Sequence, residues 1–167
     1  MKKYLKILIP FLFLATFSIA QEKAVHYETL QKHLPSAVNG FSVQGEPEGS
    51  NLDMNGMSYS MASKKYSKGD SKLNIAIVDY KGAAAMFQTS TMAWANSMAY
   101  EDAHQKAKSI TIDGMNGWFS YNKDNKEIQL LIASKERYLV TISISNATDE
   151  DLAESILKKL NIGSLPN

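Results

Sequence analysis

Hydrophobic and polar positions alternate with several different periods along this chain, and each change of period marks an element. From Ile7 to Phe17 the apolar positions run almost unbroken, behind Lys2, Lys3 and Lys6 and ahead of the small residues Ser18 and Ala20. A basic start, a short apolar run and a small-residue exit make up a secretory signal peptide, with cleavage expected after Ala20. The run is shorter than the roughly 20 residues that span a bilayer, and Pro10 interrupts it.

Tyr27, Leu30 and Leu34 repeat at helical spacing until Pro35. Phe41 and Val43 begin a strand, and the stretch Gly45 to Gly49, containing Pro47, reads as a loop. A hairpin follows. Met57, Tyr59 and Met61 alternate with Ser58, Ser60 and Ala62, the turn falls around Gly69-Asp70, and Leu73, Ile75 and Ile77 share a face of the return strand. A 3.6-residue stripe of Ala83, Phe87, Ser90, Trp94 and Met98 predicts a long helix over Gly82 to Tyr100, with Glu101 to Lys108 as polar linker or helix end.

Beyond it the period returns to two. Ile110 and Ile112, then Trp118 to Tyr121, then Ile128, Leu130 and Ile132, then Tyr138, Val140, Ile142 and Ile144 form a meander, with turns at Gly114–Gly117, Asp124-Asn125 and Ser134–Arg137. A closing helix is predicted after Thr148 as N-cap. Its stripe is Leu152, Ile156, Leu157 and Leu160, and Gly163 and Pro166 end it. The expected architecture is α+β: an antiparallel sheet of about six strands packed with two main helices. It forms a single domain over residues 21–167 after a signal peptide over residues 1–20.

Composition narrows the function classes. There is no cysteine, which removes disulfides, thiolate metal sites, a cysteine nucleophile and a lipoprotein anchor. The chain is therefore expected to be exported, periplasmic or secreted, and not a lipoprotein. Without Lys2, Lys3 and Lys6, the 18 basic residues become 15 against 17 acidic ones, a net charge of −2. With both signs interspersed there is no footprint for nucleic acid, and no stable membrane insertion is expected after cleavage. No phosphate-cradling glycine loop and no G-x-S-x-G turn occurs. His26 and His33 stand seven apart, about 10 Å along a helix, too far to share a metal. No cofactor, metal or catalytic residue is assigned.

Three features invite a role. Asp79 shares the face of Leu73, Ile75 and Ile77, so a carboxylate points inward at a strand end. There it caps the helix beginning near Gly82, lies exposed, or holds a ligand. Arg137 is the only arginine, and its planar fork suits a carboxylate; it pairs with Glu136 or a neighbouring strand, is solvated, or captures an acidic partner. The stretch Gly82 to Tyr100 carries no charge over 19 positions. Opposite its apolar stripe lie Ala85, Met92, Ala95, Asn96 and Ala99: a small-residue helix that is merely exposed, a partner-contact or self-association face centred on Met92, or a site of shallow membrane contact, since surface helices normally show charge to water.

The chain resembles small exported bacterial proteins of uncharacterised function. The resemblance rests on Leu34-Pro35 leading to Gly40-Phe41, the hairpin into Ile77-Val78-Asp79, Gly114 through Trp118, Arg137-Tyr138 entering a strand, and the closing amphipathic helix. Its element order is similar to the α+β fold of PsbP-like proteins over most of residues 21–167, in order and not in motif. That resemblance implies a scaffold used for docking and brings no catalytic residue. The expected function is a non-enzymatic binding or docking module of the cell envelope, its partner another envelope protein or a second copy. The alternatives are a small hydrolase or ligand-binding enzyme, its site assembled from residues such as Asp79, Tyr121, Glu127 and Arg137, and a purely structural envelope protein.

Overall fold

Short two-residue loops organise the architecture. Val38 and Phe41 pair across Asn39-Gly40, Met54 and Met57 across Asn55-Gly56, and Ile112 and Met115 across Asp113-Gly114. Both residues of each loop have positive φ, as tight hairpins with right-handed twist require. The computed structural model describes residues 22–167; the expected leader over residues 1–20 lies outside the described residues.

The strands are β1 (Ala37–Val38), β2 (Phe41–Met54), β3 (Met57–Lys68), β4 (Ser71–Gly82), β5 (Ala99–Glu101), β6 (Gln105–Ile112), β7 (Met115–Asn122), β8 (Glu127–Ser134) and β9 (Tyr138–Ser145). They form one nine-stranded antiparallel sheet in the order β1-β2-β3-β4-β9-β8-β7-β6-β5. Two meanders thus meet where β4 pairs with β9, from Lys72↔Ser145 to Asp79↔Tyr138. The helices are short: α1 (Tyr27–Gln31), α2 (Ala84–Thr91) and α3 (Leu152–Leu157).

This corrects the expected six-stranded sheet with two main helices, and each departure has a local cause. The presumed loop Gly45–Gly49 lies inside β2, as an irregularity between Gln44 and Glu48. Pro47 is tolerated because β1 pairs only with Phe41 and Ser42, which leaves that side of β2 open. The presumed linker Glu101–Lys108 supplies the end of β5 and half of β6, whose polar residues suit a sheet margin. The predicted long helix ends at Thr91, passes into a 3-10 turn over Met92–Asn96, and stops at Ser97, which has φ 36°. The Thr89 and Thr91 hydroxyls donate back to the Ala85 and Phe87 carbonyls, contacts that favour bending over propagation. Thr148 does not cap α3; Asp151 stands at its N-cap, and Asp149 Oδ1 accepts the Asp151 N–H.

The main core lies on the sheet face carrying Leu73, Ile75, Ile77, Ile128, Leu130, Ile132, Val140, Ile142 and Ile144, all buried. Leu30 and Leu34 cover it on one side, and Ile156, Leu157, Leu160 and Leu165 on the other. β3 is turned over relative to expectation. Ser58, Ser60 and Ala62 face inward, and Met57 and Met61 outward. The small side chains make room for the N-terminal segment: Ala24 N–H donates to Ser58 Oγ at 3.1 Å, and α1 packs against β3. At the other side a Cβ on Gly117 would lie 2.3 Å from the Leu131 carbonyl oxygen and 2.6 Å from Ile132 Cδ1. Gly117→Ala is therefore expected to lower stability by about 1–3 kcal/mol, read as a lower denaturant midpoint with unchanged slope.

Candidate functional site

Asp79 and Arg137 are brought together at the end of the β4–β9 joint. Asp79 is 0% exposed and Arg137 8%. Arg137 Nε donates to Asp79 Oδ1 at 2.8 Å and Nη2 donates to Oδ2. The same carboxylate accepts Val25 N–H at 2.8 Å and Lys81 N–H at 3.0 Å. Asp79 thus receives no hydrogen bond from α2, whose N-cap, Ala83, has no side-chain partner. Its inward position was legible from alternation; its partner, 58 residues away, was not. The guanidinium also lies over the Tyr138 ring, 4.6 Å from its centroid.

Burial pushes the Tyr138 hydroxyl up to about 12, with the Asp79 charge adding to the rise and Arg137 opposing it. Burial likewise raises Tyr66 to about 12. Their hydroxyls donate to the Pro166 and Pro35 carbonyls, at 3.0 and 2.8 Å. A cavity of about 470 Å³ opens beside Arg137. Its lysines are engaged: Lys81 meets Glu22 at 3.5 Å, and Lys135 donates to Leu165 O and Asn167 Oδ1. The Asp79–Arg137 pair is therefore a structural clasp.

The opposite sheet face carries a different feature. Residues 84–98 cross it as a strap, α2 contacting β4 and the 3-10 turn contacting β6 and β7. At the near end Phe87 packs on Tyr80, and Tyr80 on Tyr59, each with ring centroids 6.1 Å apart. At the far end Met98 N–H donates to Ser109 Oγ, and Ser109 N–H to Met98 O. Ala83, Phe87 and Trp94 are buried beneath the strap. Its outer side shows Met86, Met92 and Met98, 39%, 69% and 47% exposed. Met61 of β3, paired with Val78 of β4, is also exposed on this face. Of the candidate contact residues, Ala85 and Asn96 are exposed beside Met92, and Ala95 falls within the 3-10 turn. Ala99 is exposed but belongs to β5, so the five residues do not form one helix face.

Tyr121 and Glu127 do not join Asp79 and Arg137. Tyr121 leads through Ile128 to Ile144 near the end of β9, whereas Asp79 pairs with Tyr138 at its start. Six residues of strand separate the two rows, about 20 Å. Among the described residues no group of three or more His, Asp or Glu is placed to hold a metal, and no helix is long and apolar enough to cross a membrane.

Two outcomes test the clasp and the buried tyrosines. Asp79→Ala leaves a buried guanidinium unpaired and is expected to cost about 3–5 kcal/mol in denaturant titration, while Asp79→Leu with Arg137→Met recovers most of it; a cost near 1 kcal/mol would mean a pair screened by solvent. In spectrophotometric titration Tyr66 and Tyr138 should stay protonated beyond their ordinary value of 10.0. Because their folded ionisation is raised, their contribution to stability is full below pH 10 and is lost as pH rises towards 12. No family model matches the chain, and no curated protein and no solved structure is similar to it.

Proposed function

We propose that this chain is an exported, non-enzymatic binding module that docks an apolar segment of another cell-envelope protein on the strap over residues 84–98. One observation carries the reading: an uncharged segment, laid across a sheet face, turns methionines and not charges to water. Methionine is flexible and polarisable and fits irregular apolar surfaces. Several large apolar side chains turned to water on one short uncharged segment are characteristic of an interaction site. The strap is held at both ends, by the Tyr59–Tyr80–Phe87 ring contacts and by the paired Met98–Ser109 hydrogen bonds. Its outer residues are therefore presented on a firm base and need little ordering on contact.

The test places a photoreactive residue at position 92 of the full chain, expressed with its own leader. Irradiation is expected to give one adduct with a second envelope protein, lost when Met86→Lys and Met98→Lys are combined. No adduct, an adduct that survives both changes, or one containing only a second copy of this chain would overturn the reading.

A further inference from the structure

The strap covers only part of its sheet face. Towards the β3–β4 turn the strap does not cover this face, which carries amides and hydroxyls flanked by Lys65, Lys72 and Glu127. Register places Asn74 of β4 opposite Ser143 of β9, Ser143 opposite Gln129 of β8, and Gln129 opposite Ser120 of β7. One cross-strand row therefore carries four uncharged polar side chains over four neighbouring strands, about 14 Å. Continued through Ala107, the row ends on Tyr100 of β5, whose ring is exposed and whose hydroxyl is held by Asp102.

These side chains are not used by the fold. Asn74, Ser120, Gln129 and Ser143 make no side-chain hydrogen bond to another described residue, and Asn74 Oδ1 is buried without a partner. A buried, unsatisfied amide oxygen costs about 1–3 kcal/mol, a cost that turning the Asn74 amide towards an outside donor would remove. Asn74 and Ser143 line an open cavity of about 460 Å³. Charge at this end cancels: Lys65 is paired with Glu48 at 2.6 Å, and Lys72 and Glu127 lie on the same cavity wall.

We propose that this belt binds a neutral oligosaccharide lying across β4, β9, β8 and β7. Sugar hydroxyls donate and accept at once, as do the amide and hydroxyl side chains of the row. The apolar face of a terminal sugar suits the exposed ring of Tyr100. A charged ligand finds no surplus of either sign here, and an apolar one would leave the amides unsatisfied.

The site is separate from the methionine surface, so the two stand or fall apart. The full chain without its leader is applied to an array of neutral and acidic oligosaccharides, and any hit is titrated by calorimetry. Neutral glycans should bind, Asn74→Ala and Gln129→Ala should each weaken binding at least tenfold, and Met92→Lys should leave it unchanged. Circular dichroism establishes that the variants remain folded. Binding to no glycan overturns the proposal, as does binding to acidic glycans alone that fades with added salt, or binding that both alanine variants retain.

Discussion

The joint between β4 and β9 is the constraint on which the remaining structure depends. It is the pairing that turns two meanders into one sheet, and its partners are more than fifty residues apart in sequence. Leu73, Ile75 and Ile77 meet Ile144, Ile142 and Val140 across it, all buried. At its end the Asp79–Arg137 pair fixes the register, because a slip of one residue would turn one strand over against the other, part the two charges and leave each stranded. Val25 N–H on the same carboxylate brings the N-terminal segment into the clasp. A surface charge pair would add little to stability, but burial and bidentate geometry make loss of either partner expensive.

With the register set, the two faces divide the work. The inner face takes the aliphatic rows and the short helices, and only small residues are admitted where the N-terminal segment crosses β3. The outer face receives what the core does not need: the methionines of β3 and of the strap, the tyrosines that carry α2, and the row of amides and hydroxyls. Both proposed contacts lie on this outer face, on side chains whose removal leaves the main core intact.

The meander was legible because Ile128–Ile132 and Tyr138–Ile144 alternate cleanly and Asp124-Asn125 marks the turn before them, although the turn that joins them is built on Lys135 and Glu136. The amphipathic positions Ile156, Leu157 and Leu160 were legible for the same reason at another period. The outer parts of β2 and β6 were hidden by polarity, since both strands lie towards the margins, where few side chains reach the core and alternation has little contrast; β1 and β5, at two and three residues, are too short to show a period. Asn39-Gly40 and Asn55-Gly56 are strong hairpin signals that would have revealed β1 and the full length of β2. The strap imitated a long helix because Phe87 and Trp94 keep helical spacing, although the threonines between them favour a break. Arg137 stood out as the only arginine and Asp79 as an inward carboxylate, but their meeting depends on topology, which spacing does not report.

The order of the strands has a consequence for how the chain is made. β4 is complete early in synthesis, yet its neighbour β9 is the last strand to appear. Until then the edge formed by Leu73, Ile75 and Ile77 stays open, apolar and ready to pair with any passing strand. The newly made N-terminal half therefore needs shielding, and the period of greatest aggregation risk closes only when Tyr138–Ser145 arrives.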